Sequence, residues 1–106
     1  MAQVLIRVPP FVRAGEVFEV RLLIQHPMET GYRPGADGRV LPRDIVSHIE
    51  ARFEGRPVFA AELGPAIAAN PYLAFSLKVA ATGTLELRLL GDHGLAQLER
   101  VAVTVA

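Results

Sequence analysis

Apolar and polar residues alternate along most of this chain, with a period of two. The clearest runs place these residues on one face: Ile45, Ser47, Ile49, Ala51 and Phe53; Leu73, Phe75, Leu77 and Val79; and Leu85, Leu87 and Leu89. Such alternation sets one face of a β-strand against a core and the other toward water. Val46, His48, Glu50 and Arg52 then belong to the water-facing set of the first run.

An earlier segment is apolar on both faces. Phe18, Val20, Leu22 and Ile24 form one face, while Val17 and Leu23 add apolar bulk to the other. A strand of this kind is either central in a sheet or covered by something outside the domain. The second strand is therefore our candidate for the surface that binds a partner.

Proline and glycine turns divide the chain into short segments, because proline cannot donate to a strand ladder and glycine permits tight reversals. We predict about seven strands, at roughly 2–8, 16–26, 44–54, 57–63, 72–80, 84–91 and 95–105. Short strands at this spacing are typical of a β-sandwich or a barrel. The only helical expectation is a single turn at 65–70, ended by Pro71.

One irregular segment, residues 27–43, is long for a loop in so small a domain. Loops of this length are uncommon and are usually functional or disordered. This one carries Met28, Tyr32, Val40 and Leu41 among its glycines and prolines. A disordered linker has no need of such residues, so we expect an ordered loop that packs against something.

Composition sets further bounds. The 106 residues make a single domain over 1–106, and the absence of cysteine excludes disulfides, thiolate metal sites and cysteine nucleophiles. The formal net charge is zero and basic residues are scattered, which argues against a nucleic-acid partner. The apolar fraction is 51% and the mean hydropathy is +0.31. This high apolar content is explained either by a well-filled core or by apolar surface that another chain covers. No stretch is apolar for long enough to span a membrane.

Candidate chemistry is sparse. The histidines are His26, His48 and His93, and their spacing offers no paired metal ligands, so we expect no metal site. Ser47 and Ser76 lie mid-strand, outside any nucleophile elbow. The loop carboxylates Glu29, Asp37, Asp44 and Asp92 are more often solvated or paired with arginine than catalytic. We therefore expect no enzyme and no cofactor.

Three short clusters combine rigid backbone with a soft or aromatic residue: His26 to Gly31, Leu41-Pro42-Arg43, and Ala68 to Tyr72. One explanation is turn chemistry alone, in which these residues only shape loops. The other is that they bind a partner.

With these clusters in place, the chain resembles the SoxZ family. The matching residues are Gly15-Glu16-Val17-Phe18-Glu19-Val20, the hexapeptide His26-Pro27-Met28-Glu29-Thr30-Gly31, then Arg33, Gly38 and Pro42-Arg43, then Ala69-Asn70-Pro71-Tyr72 and Asp92-His93-Gly94. They run in order along essentially the whole chain. The chain departs from the family in having Pro34-Gly35 after the loop arginine and no tryptophan.

The resemblance implies an all-β, immunoglobulin-like antiparallel sandwich in the SoxYZ sulfur-carrier complex of thiosulfate oxidation. The partner would be a SoxY-like chain whose mobile arm bears the carrier cysteine, with transient contacts to other enzymes of the pathway. Met28 and Tyr32 would then give soft apolar contact, and Arg33 and Arg43 would attract anionic sulfur adducts. The implied partner-binding residues are His26, Pro27, Met28, Glu29, Thr30, Gly31, Tyr32, Arg33, Pro42, Arg43, Asn70, Pro71 and Tyr72.

The segment Met1 to Arg7 lacks the charged stretch followed by an apolar stretch that is typical of a signal peptide. The resemblance implies a periplasmic location all the same, reached by export together with the partner. Two alternatives stay open: an immunoglobulin-like interaction module of another complex, and a metal-dependent redox domain in which His26 is a ligand.

Overall fold

Seven β-strands in two antiparallel sheets make up the fold, in a computed structural model that describes residues 3–106. The strands are β1 (Gln3–Arg7), β2 (Phe18–Gln25), β3 (Val46–Phe53), β4 (Arg56–Glu62), β5 (Tyr72–Leu77), β6 (Gly83–Gly91) and β7 (Ala96–Val103). One sheet has the order β1-β2-β5 and the other β4-β3-β6-β7. All seven predicted strands are confirmed, although Ala2, in the first of them, lies outside the described residues.

The core lies between the two sheets. Phe18, Val20, Leu22 and Ile24 of β2 are buried on the inner face, as predicted, opposite the buried leucines of β6. Across one side of the sandwich, Phe59 of β4 stacks on Phe75 of β5 with ring centroids 4.5 Å apart. These contacts close an immunoglobulin-like sandwich, in which each sheet buries one face.

The alternation predicted for β3 is wrong at its first residues. Val46, predicted to face water, is fully buried, because the pairing of β3 with β6 shifts register between Val46 and His48. An irregularity of this kind adds a residue to one strand and turns the next side chain to the other face. Ser47 is consequently half-buried, and its Oγ donates to the Leu90 carbonyl over 3.3 Å.

The strand directions give the sandwich two distinct ends. The connections β2–β3, β4–β5 and β6–β7 meet at one end, here called the loop end, formed by residues 26–45, 63–71 and 92–95. The turns β3–β4 and β5–β6 lie at the other, here called the turn end. The segment 65–70 forms a turn with Ile67 N–H donating to the Gly64 carbonyl over 3.2 Å, and it is not helical. Residues 3–106 contain no helix that is long and apolar enough to cross a membrane.

Candidate functional site

The loop end collects every short cluster that the sequence singled out. His26 to Gly31 and Pro42-Arg43 lie in the β2–β3 connection, and Asn70-Pro71 in the β4–β5 connection. The turn at Asp92-His93-Gly94 joins β6 to β7. Antiparallel strands of alternating direction bring these three connections together, although they are far apart in the sequence.

His26 and Met28 build the first part of this end. The His26 Nδ1 accepts a hydrogen bond from the Met28 backbone N–H over 3.0 Å, which stabilises Met28 in the left-handed region at φ 51°. An Nδ1 that accepts leaves the ring proton of a neutral imidazole on Nε2. The Met28 side chain then turns into the core, where its Sδ accepts from the Val46 N–H over 3.3 Å.

Asn70 joins the second connection to the first. Its Oδ1 accepts from the His26 N–H over 3.0 Å, and its own N–H donates to the His26 carbonyl over 2.8 Å. Asn70 has φ 54°, a conformation that asparagine tolerates better than most residues. The Pro71 carbonyl accepts from the Ile24 N–H, so Asn70-Pro71 continues the edge of the three-stranded sheet.

The long segment 27–43 is ordered, as predicted, and two isolated β-bridges fold it into a ribbon that the sequence did not predict. Glu29 and Asp44 exchange two backbone hydrogen bonds of 2.8 Å, and the Leu41 N–H donates to the Arg33 carbonyl over 2.8 Å. The Arg33 guanidinium hydrogen-bonds the Glu29 carboxylate and thereby lowers the pKa of Glu29. The backbone bonds and this ion pair hold the ribbon in one shape.

Arg43 and Asp92 link the ribbon to the third connection. The Arg43 Nε and one terminal nitrogen each donate to a different Asp92 oxygen over 2.8 Å. Asp92 also accepts from the Ile45 N–H, and both contacts favour its ionised form, so its pKa lies below the usual value, chiefly because of Arg43. The His93 Nε2 lies 2.9 Å from the Arg43 carbonyl oxygen.

These contacts correct the role expected of Met28 and show what Arg33 and Arg43 bind in the free chain. Met28 is only 4% exposed, so its side chain contacts the core and not a partner. Arg33 and Arg43 are exposed but each binds a carboxylate, which offsets part of the charge that was expected to attract an anion. Polar loop residues of the family pattern thus serve first to shape the loop end.

Other residues of the predicted set remain accessible. Tyr32 is 79% exposed and Tyr72 is 59% exposed. Pro27 and Pro42 are also exposed, whereas Thr30 and Gly31 are half-buried. The Thr30 Oγ1 accepts from the Tyr32 N–H over 3.2 Å, and this bond orients the segment that presents the tyrosine ring.

The chemistry available at this end is limited. The His26 Nε2 lies 3.5 Å from an Asp44 oxygen, and no group of three or more His, Asp or Glu side chains suited to a metal occurs within residues 3–106. His48 lies beside Glu50 on the outer face of the four-stranded sheet. The arrangement stabilises a shape and offers two tyrosines at its surface.

Sequence reasoning missed a row of apolar residues on the outer face of the three-stranded sheet, here called the apolar row. Leu5 pairs directly with Leu23, and Leu23 pairs directly with Tyr72, so the three side chains cross the sheet in line. Leu5 and Tyr72 are exposed and Leu23 is half-buried. The apolar outer position of Leu23 was the available indication, but Leu5 becomes visible only through the register.

The outer face of the four-stranded sheet is different. It carries alternating charges along and across its strands: Glu50, Arg52, Glu86, Arg88 and Arg100. Glu50 binds Arg52, and the pKa of Glu50 is lowered mainly by that hydrogen bond. Alternating positive and negative side chains of this kind are typical of a solvated surface, so the two outer faces are chemically distinct.

Comparisons with solved structures confirm the architecture. A superoxide reductase (neelaredoxin) from Ignicoccus hospitalis superimposes with a TM-score of 0.76 and 23% identity, covering 99% of this chain and 82% of that one. A putative superoxide reductase from Thermotoga maritima gives 0.74 and 16%, covering 97% and 85%. The sulfur carrier protein SoxY from Chlorobium limicola f thiosulfatophilum gives 0.70 and 14%, covering 97% and 78%. At these identities the likeness is one of fold.

Among curated proteins, no sequence match was found. The family comparison is specific: the model of "Sulphur oxidation protein SoxZ" matches residues 6–102 and so includes all three connections of the loop end. A match over this span, on a chain with the fold of a sulfur carrier protein, assigns the chain to the SoxZ family of sulfur-oxidation proteins.

Proposed function

We propose that this chain is a non-catalytic subunit of a sulfur-carrier complex in thiosulfate or sulfur oxidation. Its partner is a SoxY-like chain that bears the carrier cysteine. Membership of the SoxZ family supports the pathway, and the lack of any cysteine means that the thiol must come from another chain. A thiol-bound sulfur intermediate also needs shelter from stray thiols and oxidants, which a rigid neighbouring subunit can provide.

The apolar row is the observation that carries this proposal. Leu5, Leu23 and Tyr72 form an uncharged row across the outer face of the three-stranded sheet, close to the loop end. Apolar side chains in line across a sheet suit face-to-face contact with another sheet or with an extended segment. We place the partner on this face, because the other outer face is a lattice of paired charges.

Tyr72 connects this face to the loop end. It directly follows Asn70-Pro71, whose hydrogen bonds to His26 and Ile24 fix the backbone that carries the tyrosine. Tyr32 lies on the ribbon of the same end. In the complex, the loop end serves as a preformed wall beside the partner, with Tyr32 and Tyr72 as its aromatic contacts, a residue type enriched at such interfaces.

Coexpression with a SoxY-like chain of the same organism tests the proposal. We expect the two chains to copurify and to elute as one species that contains them in equal amounts. The isolated chain should carry no sulfur adduct. Separate elution of two folded chains would contradict the pairing. An interaction module of another complex would use the same surface but retain a partner without an accessible cysteine, which mass spectrometry of the copurified chain distinguishes.

The proposed location is the periplasm, reached by export together with the partner. Fractionation of cells that express the chain with and without its partner tests this part separately. We expect periplasmic chain only in the presence of a partner with an export signal. Periplasmic chain in the absence of the partner would contradict joint export and leave the pairing itself untouched.

A further inference from the structure

A second accessible apolar region lies at the turn end of the sandwich, between β4 and β5. It is a cleft of about 520 Å³, here called the edge cleft, lined by Phe53, Glu54, Arg56, Val58, Leu77, Lys78, Val79, Ala80, Ala81 and Thr82. Phe53 and Val58 are half-buried, although their neighbours Leu77 and Val79 are buried in the core. The cleft is thus an opening of the core itself, at the end opposite to the loop end.

Two cations stand at the rim of the edge cleft. Arg56 and Lys78 are both exposed, and neither forms an ion pair with any residue in the described part of the chain. The third charged residue at the rim, Glu54, is occupied differently: its Oε1 accepts from the Thr84 N–H over 2.6 Å. The cleft therefore combines an apolar floor with two positive charges that have no partner within the described residues.

Hydrogen bonds from several segments hold the walls in place. The Glu54 N–H donates to the Thr84 carbonyl over 3.1 Å, and the Val105 N–H donates to the Thr82 Oγ1 over 2.8 Å. A Cβ at Gly83 would lie 2.6 Å from both Phe53 Cζ and Glu54 Oε1, so only glycine allows the Phe53 ring and the turn to approach this closely. A preformed cleft lowers the ordering cost of binding.

β4 and β5 are the edge strands of their respective sheets, so no ladder of backbone hydrogen bonds joins them on this side. Open edges accept extended chain segments, because backbone groups there are free to pair. Pro57 removes one donor near the start of β4, and the Val79 carbonyl already accepts from the Gly15 N–H, which leaves the side-chain floor as the more suitable contact. An apolar floor does not suit a small inorganic anion, and two cations are too few for a nucleic acid.

We propose that the edge cleft is a docking site for an extended acidic segment of a second protein. One apolar side chain of the segment inserts against Phe53 and Val58, and flanking carboxylates pair with Arg56 and Lys78. The site lies at the opposite end from Tyr32 and off the face that carries the apolar row. It is separate from the surface that we assign to the cysteine-bearing partner, and it serves a different protein contact.

Titration of the ¹⁵N-labelled full-length chain with short peptides tests the proposal. The probe is an acetylated, amidated peptide of sequence Gly-Asp-Leu-Phe-Asp-Gly, and its counterpart has lysine in place of both aspartates. We expect saturable shifts of backbone signals in segments 53–58 and 77–82 with the acidic peptide and none with the basic one. Absence of saturable shifts, equal binding of both peptides, or the same shifts with inorganic sulfate alone would overturn the proposal.

Charge-removing variants locate the site. Arg56→Gln with Lys78→Gln should weaken acidic-peptide binding about tenfold, the loss expected for two exposed ion pairs. The matched control is Arg88→Gln, which removes an exposed arginine from the outer face of the four-stranded sheet and should leave the affinity unchanged. Unchanged binding in the double variant would overturn the assignment. Leu23→Glu should retain peptide binding, which separates this proposal from the pairing proposed above.

Discussion

Arg43 and Asp92 are 49 positions apart in the sequence and form an ion pair with two hydrogen bonds of 2.8 Å at the loop end. Asp92 also accepts from the Ile45 N–H, so this single carboxylate joins the ribbon, the start of β3 and the β6–β7 turn. The pair changes the interpretation of Arg43. Its guanidinium is already paired with a carboxylate in the free chain, so a sulfur anion would have to compete with Asp92.

Replacing Asp92 should destabilise the protein in a pH-dependent way. Arg43 lowers the pKa of Asp92 in the folded chain, so the ionised form contributes stability above the ordinary aspartate pKa. That contribution is lost as the pH falls through the folded value. We expect Asp92→Asn to melt a few degrees below wild type at neutral pH, with a difference that shrinks below about pH 4.

Thermal unfolding of both proteins across this pH range checks the prediction. Glu16→Gln is the control, since Glu16 is exposed and has no ion pair in the part of the chain that the structure describes. The melting temperature of that variant should equal that of wild type across the whole pH range. A melting difference between Asp92→Asn and wild type that stays constant down to the acid range would rule out ionised Asp92 as its source.

Met28→Leu should destabilise the protein despite its similar volume. The Met28 Sδ accepts from the Val46 N–H, and leucine leaves that fully buried donor without a partner. The expected loss is about 1–2 kcal/mol in the free energy of unfolding. Hydrogen exchange at the Val46 amide gives the specific readout and should accelerate relative to the Ile49 amide. Unaltered exchange at Val46 would show that the sulfur contact contributes nothing.

Leu23→Glu should weaken pairing with the cysteine-bearing chain while the fold survives. The new carboxylate would lie in the middle of the apolar row, two residues from Arg21 on the same face, where it stays solvated in the free protein. Burial in an interface would cost at least ~2 kcal/mol, or about thirtyfold in affinity. Calorimetry or copurification with the partner measures the loss.

Leu98→Glu provides the matched control for that experiment. Leu98 is 43% exposed on the outer face of the four-stranded sheet, opposite Arg88. The substitution adds the same charge to the opposite face and should leave pairing intact. If Leu98→Glu disrupted the complex and Leu23→Glu did not, the partner would have to be placed on the four-stranded sheet.

Gly91→Ala should be markedly destabilising, in contrast to Gly64→Ala. A Cβ at Gly91 would lie 2.5 Å from the Ile45 carbonyl oxygen, at the point where β3 changes register against β6. A Cβ at Gly64 would meet nothing within 4 Å. Forcing a methyl group into the tight site costs about 1–3 kcal/mol, which chemical denaturation measures directly. Equal stability of the two variants would show that the close approach at Gly91 relaxes freely.

The register irregularity near Val46 shows where periodicity fails. Alternation predicts β5 and β6 well, because an unbroken strand sends successive side chains to opposite faces. In β3 an extra residue interrupts the ladder, so Val46 turns inward although its sequence position indicates the opposite. A bulge depends on how two strands pair, and no local pattern in β3 announces it.

At the candidate site, too, local features were predicted from the sequence and long-range contacts were not. The clusters at His26, Pro42 and Asn70 were recognisable from their composition, and the order of segment 27–43, though not its ribbon form, was predicted from its apolar residues. Their partners were not: the bond from His26 N–H to Asn70 spans 44 positions, and the Arg43 pair spans 49. Charges that look free in a sequence are neutralised when folding brings a carboxylate beside them.

By itself the sequence determined the all-β class, the seven strands, the inner face of β2 and the absence of a thiol. The alternation of apolar and polar positions along a strand and the composition of the chain are local properties. Tertiary structure alone decided that three connections form one end, that Met28 belongs to the core, and that Leu5, Leu23 and Tyr72 stand in line. These features depend on strand register and topology, which arise from contacts between residues distant in the chain.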